Sequence, residues 1–253
     1  MRFSNFFCVV IACLAAVSCA SKKDILYLQD ANRNREMQLL NYEPTLKPDD
    51  MLSIIISSET PDATIPFNLP AIQGNYEVGN NQNGIKTYLI DNFGNIDFPV
   101  LGKLKLGGLT RTEASNKIVT AMSEYIKDPS VNLRILNYKI SVLGEVNKPG
   151  TVPIESERIT ILEALSAAGD LTIYGKRDNI LVIRETDGKK TYARIDLTKS
   201  DFTTSPYYYL TQNDVIVVEP NQTRMNSSVV GPNLTVIISG LSLLTAIMVI
   251  IFR

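Results

Sequence analysis

Two pairs of aspartates come closest to a catalytic pattern in this sequence. Asp49 lies beside Asp50, and Asp91 shares a short segment with Asp97. Cleavage of a glycosidic bond requires two carboxyl groups at a defined separation. Each pair, however, flanks a turn built from Gly, Pro or Asn, where an Asp side chain commonly bonds the backbone. We therefore predict that the chain is not an enzyme, with an enzyme acting on glycans as the alternative.

The residue types that are missing exclude further chemistry. The 253 residues include no His, so Ser–His–Asp and Cys–His catalysis and the usual imidazole zinc sites are excluded. The cysteines, Cys8, Cys13 and Cys19, all precede the folded part, which therefore has no disulfide and no thiolate metal site. A net charge of −1 leaves no basic surplus to neutralise phosphates. We predict no cofactor, no metal and no nucleic-acid partner.

Three consecutive tyrosines, Tyr207 to Tyr209, could stack on sugar rings. The alternation of side chains along a strand places at least one of them in the core. Packing in the core or between subunits is therefore the interpretation that the sequence favours.

The N-terminus has the pattern of a secretory signal. Arg2 gives a positive start, and Phe6 to Val17 is an apolar run of signal-peptide length. The small residues that follow end at Cys19, and this arrangement resembles a bacterial lipoprotein signal, with Ala16 where Leu is usual. We predict a signal peptide over 1–18 and acylation of Cys19. Cleavage after Ser18 or Ala20 without a lipid is the alternative.

The C-terminus has the pattern of a membrane helix. Leu234 to Phe252 carries no charge and as a helix would span roughly 28 Å, close to the thickness of the hydrocarbon core. Small and hydroxylated residues share one face of this helix: Thr235, Ser239, Ser242 and Ala246, with Thr245 beside them. Such a face suits close packing between helices. It fits a pore-lining helix of an oligomer, and also a plain tail anchor or a dimer contact.

The first folded block reads as a small α+β unit. A turn at Pro48 to Asp50 leads into a predicted strand at Met51–Ser57, and residues 59–84 form a predicted long loop or hairpin insertion. Further strands are predicted at Lys86–Ile90 and Ile96–Val100, around a turn at 91–95, and at Val131–Leu136.

One helix is predicted within this block. Thr110 and Glu113 form a capping box at its start, and Asp128-Pro129 ends it. Its inward stripe is predicted to be Ala114, Ile118, Ala121, Met122 and Tyr125.

The second block has a β-grasp-like order of elements. A strand at Lys139–Leu143 precedes a tight turn, predicted as type II, at Pro149-Gly150. Thr160 and Glu163 form a second capping box, which opens a short helix with Ile161, Leu165 and Ala168 inward and Gly169 after its end. Four more strands are predicted at Asn179–Arg184, Thr191–Ile195, Tyr207–Leu210 and Val215–Glu219.

These motifs, taken in order, resemble a known family. The runs Lys47 to Ile54, Tyr88 to Gly102, Gly108 to Thr110 and Asp128 to Val131 look like the polysaccharide-export domain of Wza-type outer-membrane export proteins, with Asp49 where Gly is usual. The runs Val142 to Val152 and Leu162 to Gly169 look like the family's soluble-ligand-binding β-grasp domain. The resemblance covers residues 42–220. Its turn positions are Pro48, Asp50, Asp91, Gly94, Pro99, Gly102, Gly144, Pro149 and Gly150.

The resemblance implies a homo-oligomeric ring, octamer-like, around a periplasmic cavity, with C-terminal helices crossing the outer membrane. Capsular or exopolysaccharide would pass through it, in partnership with an inner-membrane polysaccharide co-polymerase. The alternative is a membrane-tethered lipoprotein that binds glycan or another ligand without transporting it.

The division of the chain follows from these patterns. We predict a signal peptide (1–18), a lipid-anchored lead-in (19–41), a polysaccharide-export domain (42–137), a β-grasp domain (138–220), a linker (221–233) and a transmembrane helix (234–253). The predicted fold class is α+β. The predicted location is the outer membrane, with a lipid anchor at Cys19 and the main body in the periplasm.

Overall fold

A computed structural model describes residues 25–31, 42–68, 87–186 and 188–229, and residues 238–240, 242–244, 246–247 and 250 of the C-terminal segment. The predicted signal peptide, Cys19, Thr235 and Thr245 lie outside the described residues. The described body has two lobes, each built around its own buried apolar cluster. Helices and strands occur in both lobes, which confirms the predicted α+β class.

The first lobe is built around a small antiparallel sheet. Its elements in chain order are β1 (Met51–Ser57), α1 (Pro61–Thr64), a 3₁₀ turn (Ile65–Phe67), β2 (Tyr88–Leu89), β3 (Asn95–Phe98), β4 (Gly102–Lys105), α2 (Arg111–Met122) and β5 (Ser130–Ile135). The sheet has the order β2-β1-β5, and β3 pairs with β4 as a separate hairpin.

Helix α2 covers this sheet and begins as the sequence predicts. The Thr110 hydroxyl accepts a hydrogen bond from the Glu113 N–H at 3.2 Å, and the Glu113 carboxylate accepts one from the Thr110 N–H at 2.8 Å. This capping box satisfies two N–H groups that the first helical turn leaves without partners. Ala114, Ile118 and Met122 are fully buried and form the inward stripe.

The prediction was wrong about where this helix ends. Helix α2 ends at Met122 instead of continuing to Asp128. Two residues of the predicted inward stripe are not buried: Tyr125 is 56% exposed, and Ala121 is partly exposed. The Ile126 N–H bonds the Met122 carbonyl, and the Ile126 side chain is buried. Ile126 therefore fills the core position that the helical period assigned to Tyr125.

The strand pairing around the turn at 91–95 also differs from the prediction. The strands on its two sides do not form a ladder with each other, because β2 pairs with β1 and β3 pairs with β4. Strand β4 was not predicted. The start of the predicted loop at 59–84 is helical, through α1 and the 3₁₀ turn, and residues 69–86 lie outside the described part.

The second lobe is a mixed sheet with one helix on it. Its elements are β6 (Lys139–Gly144), β7 (Gly150–Pro153), β8 (Ile159–Thr160), α3 (Ile161–Ala167), β9 (Gly175–Thr186), β10 (Lys189–Ile195), a 3₁₀ turn (Asp201–Thr204), β11 (Tyr209–Leu210), β12 (Val215–Pro220) and α4 (Gln222–Val229). The sheet order is β10-β9-β12-β6-β7, with β12 parallel to β6 and all other pairs antiparallel. Ile161, Ala164 and Leu165 of α3 pack into its core, as in a β-grasp fold.

Several local features of this lobe differ from the prediction. Gly150 has a φ of 157°, far from the value near +80° that the third residue of a type II turn needs, so Pro149-Gly150 is not the centre of such a turn. Strand β8 and the second 3₁₀ turn were not predicted. Helix α4 begins within residues 221–233, which the sequence suggested were a linker.

The N-terminal lead-in is attached to the body, which the sequence analysis did not predict. The N–H groups of Leu28 and Gln29 bond the carbonyls of Leu197 and Thr198 at 3.0 and 2.7 Å. The Asp30 carboxylate accepts from the Ser200 N–H at 2.6 Å. Tyr27 and Leu28 pack against the core of the second lobe. Residues 27–30 therefore belong to that lobe.

The C-terminal segment is described only in part. Ile238–Gly240, Ser242–Leu244, Ala246, Ile247 and Ile250 are helical and exposed. Among the described residues, no helix combines the length and the apolar character needed to cross a membrane.

Gly144 gives a direct test of the register between β6 and β12. Its φ is 91°, and a Cβ added there would lie 2.0 Å from the Val218 carbonyl oxygen. We expect Gly144→Ala to lower the midpoint of thermal unfolding strongly, because the backbone of β12 would have to move away. Gly102→Ala is the matched control, since Gly102 has a φ of 73° but open space around it. We expect Gly102→Ala to lower the free energy of unfolding by only about 1–2 kcal/mol, and therefore to lower the midpoint less than Gly144→Ala. An equal loss of stability in the two variants would contradict the close approach of Gly144 to Val218.

Candidate functional site

The Asp91/Asp97 pair does not form a catalytic site. Asp91 Oδ1 accepts hydrogen bonds from the Asn95 and Phe93 N–H groups at 2.7 and 2.9 Å. These bonds hold the pKa of Asp91 below its usual value, so the carboxyl group stays ionised at neutral pH. Asp97 lies on the exposed face of β3. Asp91 therefore stabilises its own turn instead of supplying a proton.

Asp50 is likewise part of a turn, at the entry to β1. Asp50 Oδ2 accepts from the Lys47 N–H at 2.8 Å, and the Asp50 N–H donates to the Lys47 carbonyl at 3.2 Å. Pro48 and Asp49 are the central residues, and Asp49 has a φ of 68°. Gly adopts this conformation most easily, and Asp is among the few other residues that tolerate it.

The same turn occurs a second time, at the entry to β12. Asp214 Oδ2 accepts from the Thr211 N–H at 2.8 Å, and the Asp214 N–H donates to the Thr211 carbonyl at 3.1 Å. Asn213 occupies the place of Asp49, with a φ of 65°. Each lobe therefore has an Asp-terminated turn directly before one of its inner strands.

The two buried aspartates differ in their electrostatic partners. The side chain of Asp214 is 1% exposed and forms an ion pair with Arg184 at 2.7 Å. Arg184 Nη2 also donates to the Tyr209 carbonyl, and Nη1 donates to the Pro206 carbonyl. Asp50 is equally buried, but its Oδ1 has no hydrogen-bond partner among the described residues. Because burial disfavours the charged form, the pKa of Asp50 is raised to about 6.

The segment Leu210–Asp214, which we call the junction loop, connects the two lobes. Gln212 donates to the Asn137 carbonyl at 2.7 Å, and the Asn137 side chain bonds the Asp49 carbonyl and the Met51 N–H of the first lobe. Lys47 Nζ reaches Thr211 Oγ1 at 3.3 Å. The Arg184–Asp214 ion pair thus fixes a loop that positions both lobes.

Tyrosines enclose the junction loop. The hydroxyls of Tyr138 and Tyr42 both donate to the Leu210 carbonyl, at 2.7 and 3.4 Å. The rings of Tyr42 and Tyr209 stack with centroids 5.1 Å apart, and the Arg184 guanidinium lies 4.8 Å from the centroid of Tyr207. Burial raises the pKa of Tyr42 to about 12, so its hydroxyl keeps its proton. Tyr209 therefore packs against Tyr42, and Tyr207 and Tyr208 pack against the core of the second lobe, instead of forming an open sugar platform.

A groove of about 590 Å³ lies beside the junction. Residues of both lobes line it, including Arg111, Arg134, Tyr138 and Glu155. Arg111 of the first lobe forms an ion pair with Glu157 of the second at 3.2 Å. The edge strands β5 and β7 both contribute residues to the walls of the groove. The groove is open and is lined by apolar side chains, such as Leu133 and Ile154, as well as by polar ones, which suits weak contact with a hydrated chain.

The remaining predicted site residues lie in separate turns. Gly94 lies in the turn after Asp91, and Pro99 and Gly102 flank the β3–β4 connection. Gly144 ends β6, Pro149 directly precedes β7, and Gly150 begins it. In the C-terminal segment, Ser239, Ser242 and Ala246 are helical and exposed, and the Ser242 hydroxyl donates to the Ser239 carbonyl at 2.8 Å. Their predicted role as a packing or pore face stays a prediction.

The sequence analysis missed Arg184, Asn137 and Asp214. A signal for Asp214 was present, because an Asp directly before the β-branched run Val215–Val218 repeats the pattern of Asp50 before β1. The ion pair of Arg184 with Asp214 joins residues 30 positions apart, so no local sequence pattern indicates it.

Comparisons with known proteins agree with the two-lobe division. Residues 40–136 match the family model described as polysaccharide biosynthesis/export protein, and residues 138–218 match the SLBB domain. The EPS I polysaccharide export outer membrane protein EpsA of Ralstonia solanacearum is 30% identical over 179 residues, which are 68% of this chain and 47% of that protein. The protein of the same name from Ralstonia nicotianae is 30% identical over 141 residues, 53% of this chain and 37% of its own length. The chain spans about half the length of these relatives, or less.

Removal of the buried carboxylate should disrupt the junction. We expect Asp214→Asn to lower the free energy of unfolding by about 3–5 kcal/mol, because Arg184 would keep a buried charge without a counter-ion. Urea unfolding measures this change. Glu219→Gln is the control, since it breaks the solvent-accessible ion pairs of Glu219 with Arg194 and Lys176 and should cost about 1 kcal/mol or less. Equal losses for the two variants would contradict the special role of the Arg184–Asp214 pair.

Asp50 should make stability depend on pH. Its pKa in the folded protein, about 6, is above the unfolded value of 3.8, so folding favours the protonated form. The stabilisation by that form is complete below the unfolded pKa and is lost as pH rises through 6. Relative to a carboxyl group with the same pKa in both states, the raised pKa therefore costs about 3 kcal/mol of stability at pH 7 and about half of that at pH 5. The free energy of unfolding of wild type and of Asp50→Asn is measured with urea at pH 7 and at pH 5. On going from pH 7 to pH 5, the wild-type protein should gain about 1 kcal/mol of stability relative to the variant. A difference that does not change with pH would contradict a raised pKa.

Proposed function

Because the chain belongs to the polysaccharide biosynthesis/export family of Wza-type proteins, we propose that it is an oligomeric outer-membrane channel component that exports capsular or exopolysaccharide. The single observation that carries this proposal is the order of a polysaccharide-export domain and an SLBB domain within one chain. The family is one of export proteins and not a class of enzymes, in agreement with the prediction that the chain is not an enzyme.

The printed names of the relatives support the location. Both EpsA proteins are named outer membrane proteins, and both are named for export of the polysaccharide EPS I. We extend this to an outer-membrane location for the present chain, with a periplasmic body and a lipid anchor at Cys19. The sequence pattern up to Cys19 is the basis for the anchor.

The assembly that we propose is a homo-oligomeric ring with an inner-membrane co-polymerase as its partner. Two features of the body suit a wall subunit of such a ring. The junction loop holds the lobes together through hydrogen bonds and an ion pair. Among the described residues, the groove beside it has no ring of exposed aromatic side chains. A polymer in transit must bind weakly enough to keep moving, as ions do in channels.

The proposed division of the chain keeps residues 42–137 and 138–220 as the two domains. Residues 234–253 are proposed as a helix in the membrane, whose small-residue face packs between subunits. Helix α4 leads from the second lobe toward that segment, and its described side chains are exposed.

The small-residue face can be tested without shortening the chain. We expect the double variant Ser239→Leu with Ser242→Leu to lose the oligomer, because larger side chains would separate the helices that pack through this face. Native mass spectrometry of the full-length, acylated protein in detergent measures the subunit number. Leu243→Ile with Ile247→Leu is the matched control and should keep the ring. A monomer in the wild-type protein would contradict the proposed channel.

Deletion of Leu234 to Arg253 separates the channel from the alternative, a tethered glycan-binding lipoprotein. The groove of about 590 Å³ is the observation that favours this second candidate. For a channel, the deletion should abolish polymer at the cell surface while the protein remains folded and abundant. Unchanged export would instead support a binding role.

A further inference from the structure

A second cavity, of about 540 Å³, lies where the two ends of the described body meet. Gln29 of the N-terminal segment lines it, and so do Asn221, Gln222 and Thr223 at the start of α4. The N-terminal segment leads back to Cys19, and α4 leads on to residues 234–253. The walls of this cavity therefore belong to the part of the body from which both proposed membrane attachments leave.

Arg177, in the wall of this cavity, is a buried cation that forms no ion pair with the described residues. It is 4% exposed, and none of the ion pairs formed by the described residues includes it. Its Nη1 donates to the Gly175 and Thr172 carbonyls at 3.0 and 3.3 Å, and the Tyr27 ring centroid lies 5.3 Å from Cζ. Nε has no hydrogen-bond partner among the described residues. A buried charge is normally paired, so an anion beside Arg177 would complete its surroundings.

Two further groups in the same walls favour an anion. The N–H groups of Gln222 and Thr223 belong to the first turn of α4, where N–H groups have no partner within the helix. The side chain of Asn221 caps the next position by accepting from the Arg224 N–H at 3.0 Å. Lys176 adds a positive charge: its ion pair with Glu219 is long, at 3.9 Å, and Glu219 also pairs with Arg194 at 2.8 Å.

Two carboxylates in the walls limit the charge that the cavity accepts. Asp196 already accepts from the Thr198 N–H at 2.9 Å and pairs with Lys199 at 3.2 Å, and Asp178 is exposed. A group with a single negative charge is repelled less by these residues than one with two. A phosphodiester has one charge, whereas free phosphate near neutral pH carries between one and two.

We propose that this cavity binds a phosphate group, through Arg177, Lys176 and the first N–H groups of α4. The lower charge of a phosphodiester and the nearby membrane attachments favour a lipid headgroup over free phosphate. The lipid source rests on the proposed membrane location, whereas binding of the phosphate group itself does not. A bound headgroup would set the distance and the tilt of the body relative to the membrane.

The test is made on the full-length protein in detergent by isothermal titration calorimetry. The two probes are inorganic phosphate and dihexanoylphosphatidylglycerol, a soluble phosphodiester lipid. The key variant is Gln222→Pro, because Pro at the first helical position removes one N–H donor and still favours the helix. We expect it to weaken binding by about tenfold, as for the loss of one hydrogen bond to a charged group. Gln222→Ala, which keeps the N–H group, should bind like wild type.

Lys176→Gln should weaken binding by a similar factor. Its matched control is Lys190→Gln, which removes the same charge from an ion pair of the same length, 3.9 Å, on β10 of the same lobe. Tighter binding of the lipid than of phosphate supports the headgroup, and tighter binding of phosphate supports the site with free phosphate as its ligand. If neither probe binds, or if Gln222→Pro and Lys176→Gln bind like their controls, the proposal is overturned. Calorimetry gives this answer for a monomer as well as for a ring, so it is independent of the proposed channel.

Discussion

The buried ion pair between Arg184 and Asp214 is the interaction on which the arrangement of the two lobes depends. Arg184 and Asp214 are 12% and 1% exposed, so each charge needs the other to compensate for the loss of water. The carboxylate also holds Thr211, and the guanidinium holds the carbonyls of Tyr209 and Pro206. These bonds restrain the junction loop to a single conformation. Because Lys47, Tyr42 and Asn137 all bond that loop, the orientation of the first lobe follows from it.

The two Asp-terminated turns show how the same local structure can have two electrostatic outcomes. Asp50 and Asp214 make the same backbone contacts before their strands, at 2.8 Å in each case. Among the described residues, Asp214 has an arginine beside it, whereas Asp50 has one oxygen without a hydrogen-bond partner and a raised pKa. Lys47 begins the first turn and reaches the second, so the two turns lie together at the junction. Such rigid coupling between domains suits the conduit-wall subunit that we propose.

The sequence predicted features that depend on neighbouring residues and missed those that depend on distant ones. Both capping boxes, at Thr110 and Thr160, and the main strands are local patterns, and the structure contains them. Contacts with distant segments determine three features that the sequence missed: the burial of Ile126, the pairing of β2 with β1, and the attachment of residues 27–30 to the second lobe. Of the candidate site, Asp50 and Asp91 were predicted as turn residues, whereas the ion pair of Arg184 and the buried Arg177 required the fold.

The fixed orientation of the two lobes is measured most directly by the distance between them. Double electron–electron resonance measures this distance between two spin labels. One label is attached at Glu124→Cys in the first lobe and the other at Lys189→Cys in the second, both of which are exposed positions. The labelled, acylated protein is diluted with unlabelled copies, so that distances within one chain dominate. The account predicts one narrow distance distribution, which broadens in Asp214→Asn. A broad distribution in the wild-type protein would contradict a junction held by the Arg184–Asp214 pair.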